Sequence, residues 1–171
     1  VMILFRTRGS IPSGFGPLVR SVLLARQLPR TVPRLFLIGN DKPAKRFLRD
    51  RNLPSRIYRD PQYPLSLNPQ PDLILFDLPE FSEKDLELAR AARKQGIPTV
   101  QWLGNNHRYP DVEFGIDPGP GHRRDTNPDP AVFSGAGYFP LHPRYRHFHS
   151  KDKNHRSELK KILITLGGAP P

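Results

Sequence analysis

Six polar or small residues in this chain follow apolar runs that predict buried strands. Because the carboxyl ends of parallel strands meet at one edge of a sheet, and ligands bind at that edge, we expect these residues to lie close together. Two of them, Asp77 and His107, have side chains that can transfer protons. The six are Arg6, Gly9, Ser10, Asp77, Asn105 and His107.

Asp77 and His107 are the candidate catalytic residues. The Asp77 carboxylate can accept hydrogen bonds from sugar hydroxyls or act as a base, and the alternative is that it caps the following turn. His107 has an ordinary pKa near neutrality, which suits a general base, and the alternative is a solvated loop histidine.

The stretch from residue 2 to residue 28 predicts a strand, a glycine-rich turn and an amphipathic helix. Gly9, Gly14 and Gly16 supply backbone freedom in the turn, and Pro17 suits the first helical turn. The exposed N–H groups at the start of such a helix favour an anion. Val19 stands where a dinucleotide-binding turn has its third glycine, so an ordinary tight connection is the alternative.

The predicted elements alternate between strands and helices along the chain. Apolar runs predict strands at 2–5, 32–38, 55–58, 72–76 and 98–103, a short edge strand at 112–116, and a last strand at 161–166. Periodic patterns and caps predict helices at 17–28, 41–51 and 82–94. We therefore predict an α/β fold: a Rossmann-like, mainly parallel sheet with helices on both faces.

The net charge of +11 is concentrated at the two ends of the chain. Residues 1–60 hold 13 Lys and Arg against 3 Asp and Glu. A basic region attracts phosphate groups of a nucleotide-linked substrate, of an anionic lipid or of nucleic acid. Because the basic residues are dispersed and not interleaved with aromatic ones, they argue against nucleic acid, while peripheral contact with a membrane stays open.

Several functional classes are disfavoured by what the sequence lacks. There is no cysteine, which excludes thiolate chemistry and fits a cytoplasmic protein. No apolar run approaches the roughly 20 residues of a membrane span, so we expect no transmembrane segment. The six histidines show no paired helical spacing, so we expect no metal site.

Five motifs, in this order, resemble one protein family. They are Phe5–Ser10, Gly14–Arg20, the strand Asp72–Asp77, Gly135–Pro143 and Ile162–Pro171. In this order and spacing they are similar to the UDP-sugar hydrolases of pseudaminic acid biosynthesis and to related spore-coat polysaccharide proteins. Those proteins have a two-domain fold of the GT-B glycosyltransferase type, of which this chain resembles the first half.

The resemblance implies a nucleotide-sugar ligand, no cofactor, and a role in surface-polysaccharide synthesis as a UDP-sugar hydrolase or glycosyltransferase. It implies an N-terminal domain at 1–150, a linker at 151–160, and the start of a second domain at 161–171. Gly167 and Gly168 would begin its nucleotide-binding loop. The residues implied in substrate binding are Arg6, Gly9, Ser10, Gly14, Gly16, Arg20, Asn105 and Tyr138. Nothing in the sequence indicates the oligomeric state.

Two positions depart from the family's pattern. Arg8 stands in place of an aspartate, and Pro17 in place of the histidine thought to activate the attacking water. Proline has no titratable group, so it cannot act as a base. Three outcomes stay open: a base from His107 or Asp77, a change to glycosyl transfer, or a non-catalytic nucleotide-sugar-binding or scaffold protein.

Overall fold

The computed structural model describes residues 1–10, 14–103, 108–119 and 129–141. The described strands are β1 (Ile3–Thr7), β2 (Arg34–Ile38), β3 (Ser55–Ile57), β4 (Leu73–Asp77), β5 (Thr99–Trp102), β6 (Phe114–Asp117) and β7 (Val132–Ser134). The helices are α1 (Gly16–Gln27), α2 (Lys42–Arg49) and α3 (Glu83–Lys94). Short 3-10 turns occupy Tyr63–Ser66 and Ala136–Tyr138.

The seven strands form one sheet in the order β3-β2-β1-β4-β5-β6-β7. Every neighbouring pair is parallel. The strand order reverses between β1 and β4, because the chain first builds outward through β2 and β3 and then crosses back. The carboxyl ends of β1 and β4 therefore border the crevice in which open α/β folds bind ligands.

Helices cover both faces of the sheet, as predicted. Successive strand residues point to opposite faces, so Phe5 packs with α1 and α2 while Leu4 packs with α3. The α1 face contains Leu18, Val22, Ala25, Ala44, Leu48, Phe36 and Leu75. The α3 face contains Leu88, Ala89, Ala92, Leu37, Ile74 and Phe76. The Rossmann-like fold class is confirmed.

Local capping patterns predicted two helix starts correctly. The Asp41 carboxylate accepts the Ala44 backbone N–H at 3.1 Å and begins α2. Ser82 and Asp85 form a capping box at the start of α3, in which the Ser82 backbone N–H donates to Asp85 at 2.9 Å.

One strand prediction was wrong in its placement. We expected an edge strand at 112–116, but β6 lies inside the sheet because β7 pairs with its outer side. The three-residue β7 is too short for its sequence to show a strand pattern. The predicted strand at 161–166 and the proposed linker and second domain lie outside the described residues.

Candidate functional site

The crevice at the strand-order reversal is built on Thr7 and Asp77. These two residues end β1 and β4 and are directly opposite each other in the sheet register. Both side chains point to the face covered by α1, since Phe5 and Leu75, two positions earlier, pack in that layer. The chain leaves β1, turns, and enters α1 at the same edge.

Arg20 and Ser21 of α1 bind the Asp77 carboxylate. Arg20 Nε donates to Oδ2 at 3.0 Å, and Arg20 Nη2 donates to Oδ1, so the pairing is bidentate. Ser21 Oγ donates to Oδ2 at 3.3 Å. Asp77 is only 1% exposed, whereas the Arg20 side chain is 25% exposed. The arginine therefore faces outward and the carboxylate lies behind it.

Burial sets the protonation behaviour of Asp77. Removal from water raises the pKa of this carboxyl to about 6, although the hydrogen bonds and positive charge of Arg20 act in the opposite direction. The group therefore titrates closer to neutrality than an ordinary aspartate. The turn-capping alternative is not what the structure shows, because the described partners of this carboxylate are on α1.

Trp102 completes the surroundings of Arg20 from the next strand. The Arg20 guanidinium carbon lies 5.0 Å from the centre of the Trp102 ring, which is cation–π distance. Within the described ranges, Trp102 Nε1 and Thr7 Oγ1 are buried and have no hydrogen-bond partner. Thr7 is on β1 and Trp102 is on β5, the two strands that border β4. A buried polar atom without a hydrogen-bond partner therefore lies on each side of Asp77.

The head of α1 brings Pro17 to the same site. Pro17 precedes Ser21 by four residues and Arg20 by three, so all three share one face of the helix. Pro17 is in the first helical turn, as predicted, and the turn contains no acidic residue. A side chain at position 17 would therefore stand one helical turn before the Arg20–Asp77 pair, towards the N-terminus of α1.

The geometry of the turn requires glycine at two of the three predicted positions, Gly14 and Gly9. Gly14 has a φ of 74°, in the left-handed region that favours glycine, and its carbonyl accepts the Ser10 backbone N–H at 3.3 Å. At Gly9 an added Cβ would lie 2.8 Å from Leu18 Cδ2, so only glycine lets the turn approach α1 this closely. Gly16 begins α1 and is exposed.

Arg6 lies on the opposite face of the sheet from Asp77. Its Nε donates to Asp85 Oδ1 at 2.6 Å, and its guanidinium packs 4.3 Å from the centre of the Tyr58 ring. Arg6 is 3% exposed and Asp85 is fully buried. Arg8 reaches the same carboxylate at 3.4 Å. The structure does not bring Arg6 to the crevice, because the alternation along β1 directs it towards α3.

The other predicted site residues are placed apart or are not described. Tyr138 lies beyond β7, 48% exposed, with its ring 6.0 Å from that of Phe133. With β5 and β6 between, β7 stands about 14 Å from β4 at ordinary strand spacing. Asn105, His107, Gly167 and Gly168 lie outside the described residues, so their roles stay predictions.

Sequence reasoning missed Trp102, Ser21 and Thr7. A usable signal existed for two of them, since Trp102 and Thr7 end apolar strands in the same way as Asp77 does. Among the residues that the structure describes, no three His, Asp or Glu side chains cluster to hold a metal ion. In the same part of the chain, no helix has both the length and the apolar character needed to cross a membrane.

The fold is similar to that of solved UDP-sugar-binding proteins. HepE of Anabaena, solved with UDP-glucose, matches with a TM-score of 0.51 and 16% identity over 68% of this chain and 37% of HepE. UDP-GlcNAc 2-epimerase of Neisseria meningitidis, bound to UDP-GlcNAc, matches with a TM-score of 0.50 and 14% identity over 78% of this chain and 45% of the epimerase.

These likenesses define the class of fold. The chain has a Rossmann-like domain of the GT-B type, in agreement with the resemblance seen in its sequence. It spans less than half of the length of either neighbour. No protein-family model and no curated protein sequence matches the chain.

Proposed function

We propose that this chain is the sugar-side domain of a GT-B-type protein that binds a UDP-sugar and acts as a hydrolase or glycosyltransferase in surface-polysaccharide synthesis. The observation that carries the proposal is the Arg20–Asp77 pair at the strand-order reversal, beside the start of α1. Support comes from the fold, since HepE was solved with UDP-glucose on the same type of scaffold. In this reading the crevice binds the sugar and its phosphates.

Arg20 is the residue that meets the ligand in this proposal. Its guanidinium has five N–H donors, and two of them form hydrogen bonds with Asp77. The remaining donors and the partly exposed position suit a phosphate or a sugar hydroxyl. Asp77 acts as a positioning residue, because it is buried behind the arginine and fixes the plane of the guanidinium.

A proton acceptor has to come from another residue if the protein is an enzyme. Asp77 is blocked by Arg20 in this arrangement, and Pro17 has no titratable group. His107 follows β5, the strand next to β4, and is our proposed general base. Replacement of His107 by alanine should then abolish sugar release while leaving the affinity for UDP unchanged.

Binding of UDP-glucose or UDP-GlcNAc to the full protein, measured by calorimetry, tests the site. Arg20→Gln should weaken binding by about tenfold or more, the size of one lost charged hydrogen bond. The matched control is Arg26→Gln, which removes an exposed arginine from the other end of the same helix. Equal losses in both variants, with both folded, would refute the assignment of the site.

A second candidate function is a binding or scaffold protein without turnover. The observation that favours it is Pro17, which stands at the crevice where the resembled hydrolases have a histidine. Sugar release from UDP-sugars, followed by NMR, separates the two candidates. If the wild-type protein binds UDP but releases no sugar, and Pro17→His gains hydrolysis, the non-catalytic function is supported. Turnover by the wild type that is lost in His107→Ala supports the enzyme.

A further inference from the structure

A groove of about 950 Å³ lies between α2 and the outer strand β3, away from the crevice. Its basic lining residues come from one stripe of α2 and from β3. They are Lys42, Lys45, Arg46, Arg49 and Arg56. The groove has no acidic lining residue and an apolar floor that includes Leu53 and Ile57. The groove therefore has positively charged walls and an apolar floor.

The groove runs along the edge of β3. Ser55, Arg56 and Ile57 all line it, although side chains of successive strand residues point to opposite faces. A groove on one face of the sheet would contact only alternate residues. The surface presented here is therefore the strand edge itself, with its backbone hydrogen-bonding groups.

The backbone N–H and C=O groups of β3 that do not bond to β2 point towards this edge. Two hydrogen bonds tie the ends of β3 to β2: Phe36 N to Pro54 O at 2.9 Å, and Tyr58 N to Ile38 O at 2.8 Å. In a parallel ladder alternate residues face the same neighbour, so Ser55 and Ile57 direct their N–H groups outward. No described strand pairs with that side, since β3 ends the sheet order.

We propose that this edge binds an extended acidic segment of a partner protein, which pairs with β3 as an added strand. Backbone pairing supplies the affinity, as in other cases of strand addition, and the cations select carboxylate side chains. Arg46 and Arg49 already lie 3.6 Å and 3.8 Å from the Asp50 carboxylate, so Lys42, Lys45 and Arg56 carry most of this selection. Charge complementarity argues against a second copy of this chain as the partner, because pairing two such edges would bring like charges together. The inference is independent of the crevice and its ligand.

A peptide of alternating glutamate and valine is the probe, with binding to the full protein followed by fluorescence anisotropy. We expect binding that falls about tenfold when every peptide nitrogen of the probe is methylated, because this removes the backbone donors from both edges of the extended peptide while preserving its charge. Equal binding of the methylated peptide would overturn strand addition. Tighter binding of a single-stranded oligonucleotide or of phosphatidylserine vesicles than of the peptide would overturn the choice of partner.

The protein variants test the groove itself. Lys42→Gln with Arg56→Gln removes one cation from each wall, and neither residue is paired with a carboxylate in the described structure. The matched control is Arg26→Gln with Arg30→Gln, which removes the same charge from exposed positions outside the groove. We expect about tenfold weaker peptide binding in the first pair and unchanged binding in the control. The same loss in both pairs would show a general charge effect and overturn the proposal.

Discussion

Arg20 Nε lies 3.0 Å from Asp77 Oδ2, and this bond joins α1 to the end of β4 across 57 positions of sequence. The arginine is partly exposed and the aspartate is buried. The pair therefore presents a positive group to the crevice while it hides the negative one. The orientation of this guanidinium is therefore fixed by the fold.

Replacement of Asp77 by asparagine should change how stability depends on pH. The folded-state pKa of about 6 is above the ordinary 3.8, so the folded protein holds this proton more tightly than the unfolded chain does. Ionisation of Asp77 therefore lowers the free energy of unfolding. This loss of stability is absent below about pH 3.8 and fully present above about pH 6. We expect the stability of Asp77→Asn relative to wild type to rise by about 3 kcal/mol across that window.

Urea unfolding of both proteins between pH 3.5 and 7.5 measures that difference. Comparison of the two proteins cancels the titration of the other carboxylates, which they share. A difference that stays constant with pH, or that falls as pH rises, would show that the folded-state pKa of Asp77 is not raised.

Removal of Arg20 should destabilise the protein more at pH 7 than at pH 5. Arg20→Gln leaves a buried carboxylate without its counter-charge, which costs about 3 kcal/mol when the group is ionised, the lower end for a buried pair because Arg20 is partly exposed. Protonation of Asp77 at lower pH relieves most of that cost. Thermal unfolding of Arg20→Gln, Asp77→Asn and the double variant provides the measurement. The arginine substitution should cost at least about 1 kcal/mol less in the Asp77→Asn background, and simple additivity would contradict the coupling.

Gly9→Ala should destabilise the turn that precedes α1. The new methyl group would lie 2.8 Å from Leu18 Cδ2 and 2.9 Å from Leu18 Cβ, closer than packed carbon atoms lie. We expect a loss of about 1–3 kcal/mol in the free energy of unfolding. Gly39→Ala is the matched control, since nothing lies within 4 Å of the added carbon there. Similar values for the two variants would mean that the turn moves away from Leu18 freely.

Asp85→Asn should be among the most damaging single substitutions. It removes the counter-charge of the buried Arg6, and the single oxygen of the new amide cannot accept hydrogen bonds from both Arg6 and the Ser82 backbone N–H. We expect a loss of about 3–5 kcal/mol, against about 1 kcal/mol for Ser82→Ala, which removes the Ser82 side chain of the cap alone. Chemical denaturation of both variants gives the comparison. Equal losses of stability in the two variants would indicate that the Arg6–Asp85 ion pair contributes little to the free energy of unfolding.

Short-range patterns in the sequence were enough to predict most elements of the fold. The start of α2 follows from Asp41 and the start of α3 from Ser82 with Asp85, because each cap forms within three residues of chain. The position of Asp77 at a strand end also followed from the apolar run before it. Each of these features depends on neighbours in sequence, which a linear pattern contains.

The partners of the charged residues were decided only by the tertiary structure. Arg6 and Arg20 looked equivalent in sequence, yet Arg6 pairs with Asp85, 79 positions away, and Arg20 with Asp77. The face of β1 on which Arg6 lies and the crossover that returns the chain to β4 set these pairings. The position of β6 inside the sheet depended likewise on β7, which pairs with it although positions 118–131 separate the two strands in sequence. Such contacts depend on how the elements are arranged in space, and local composition does not encode that arrangement.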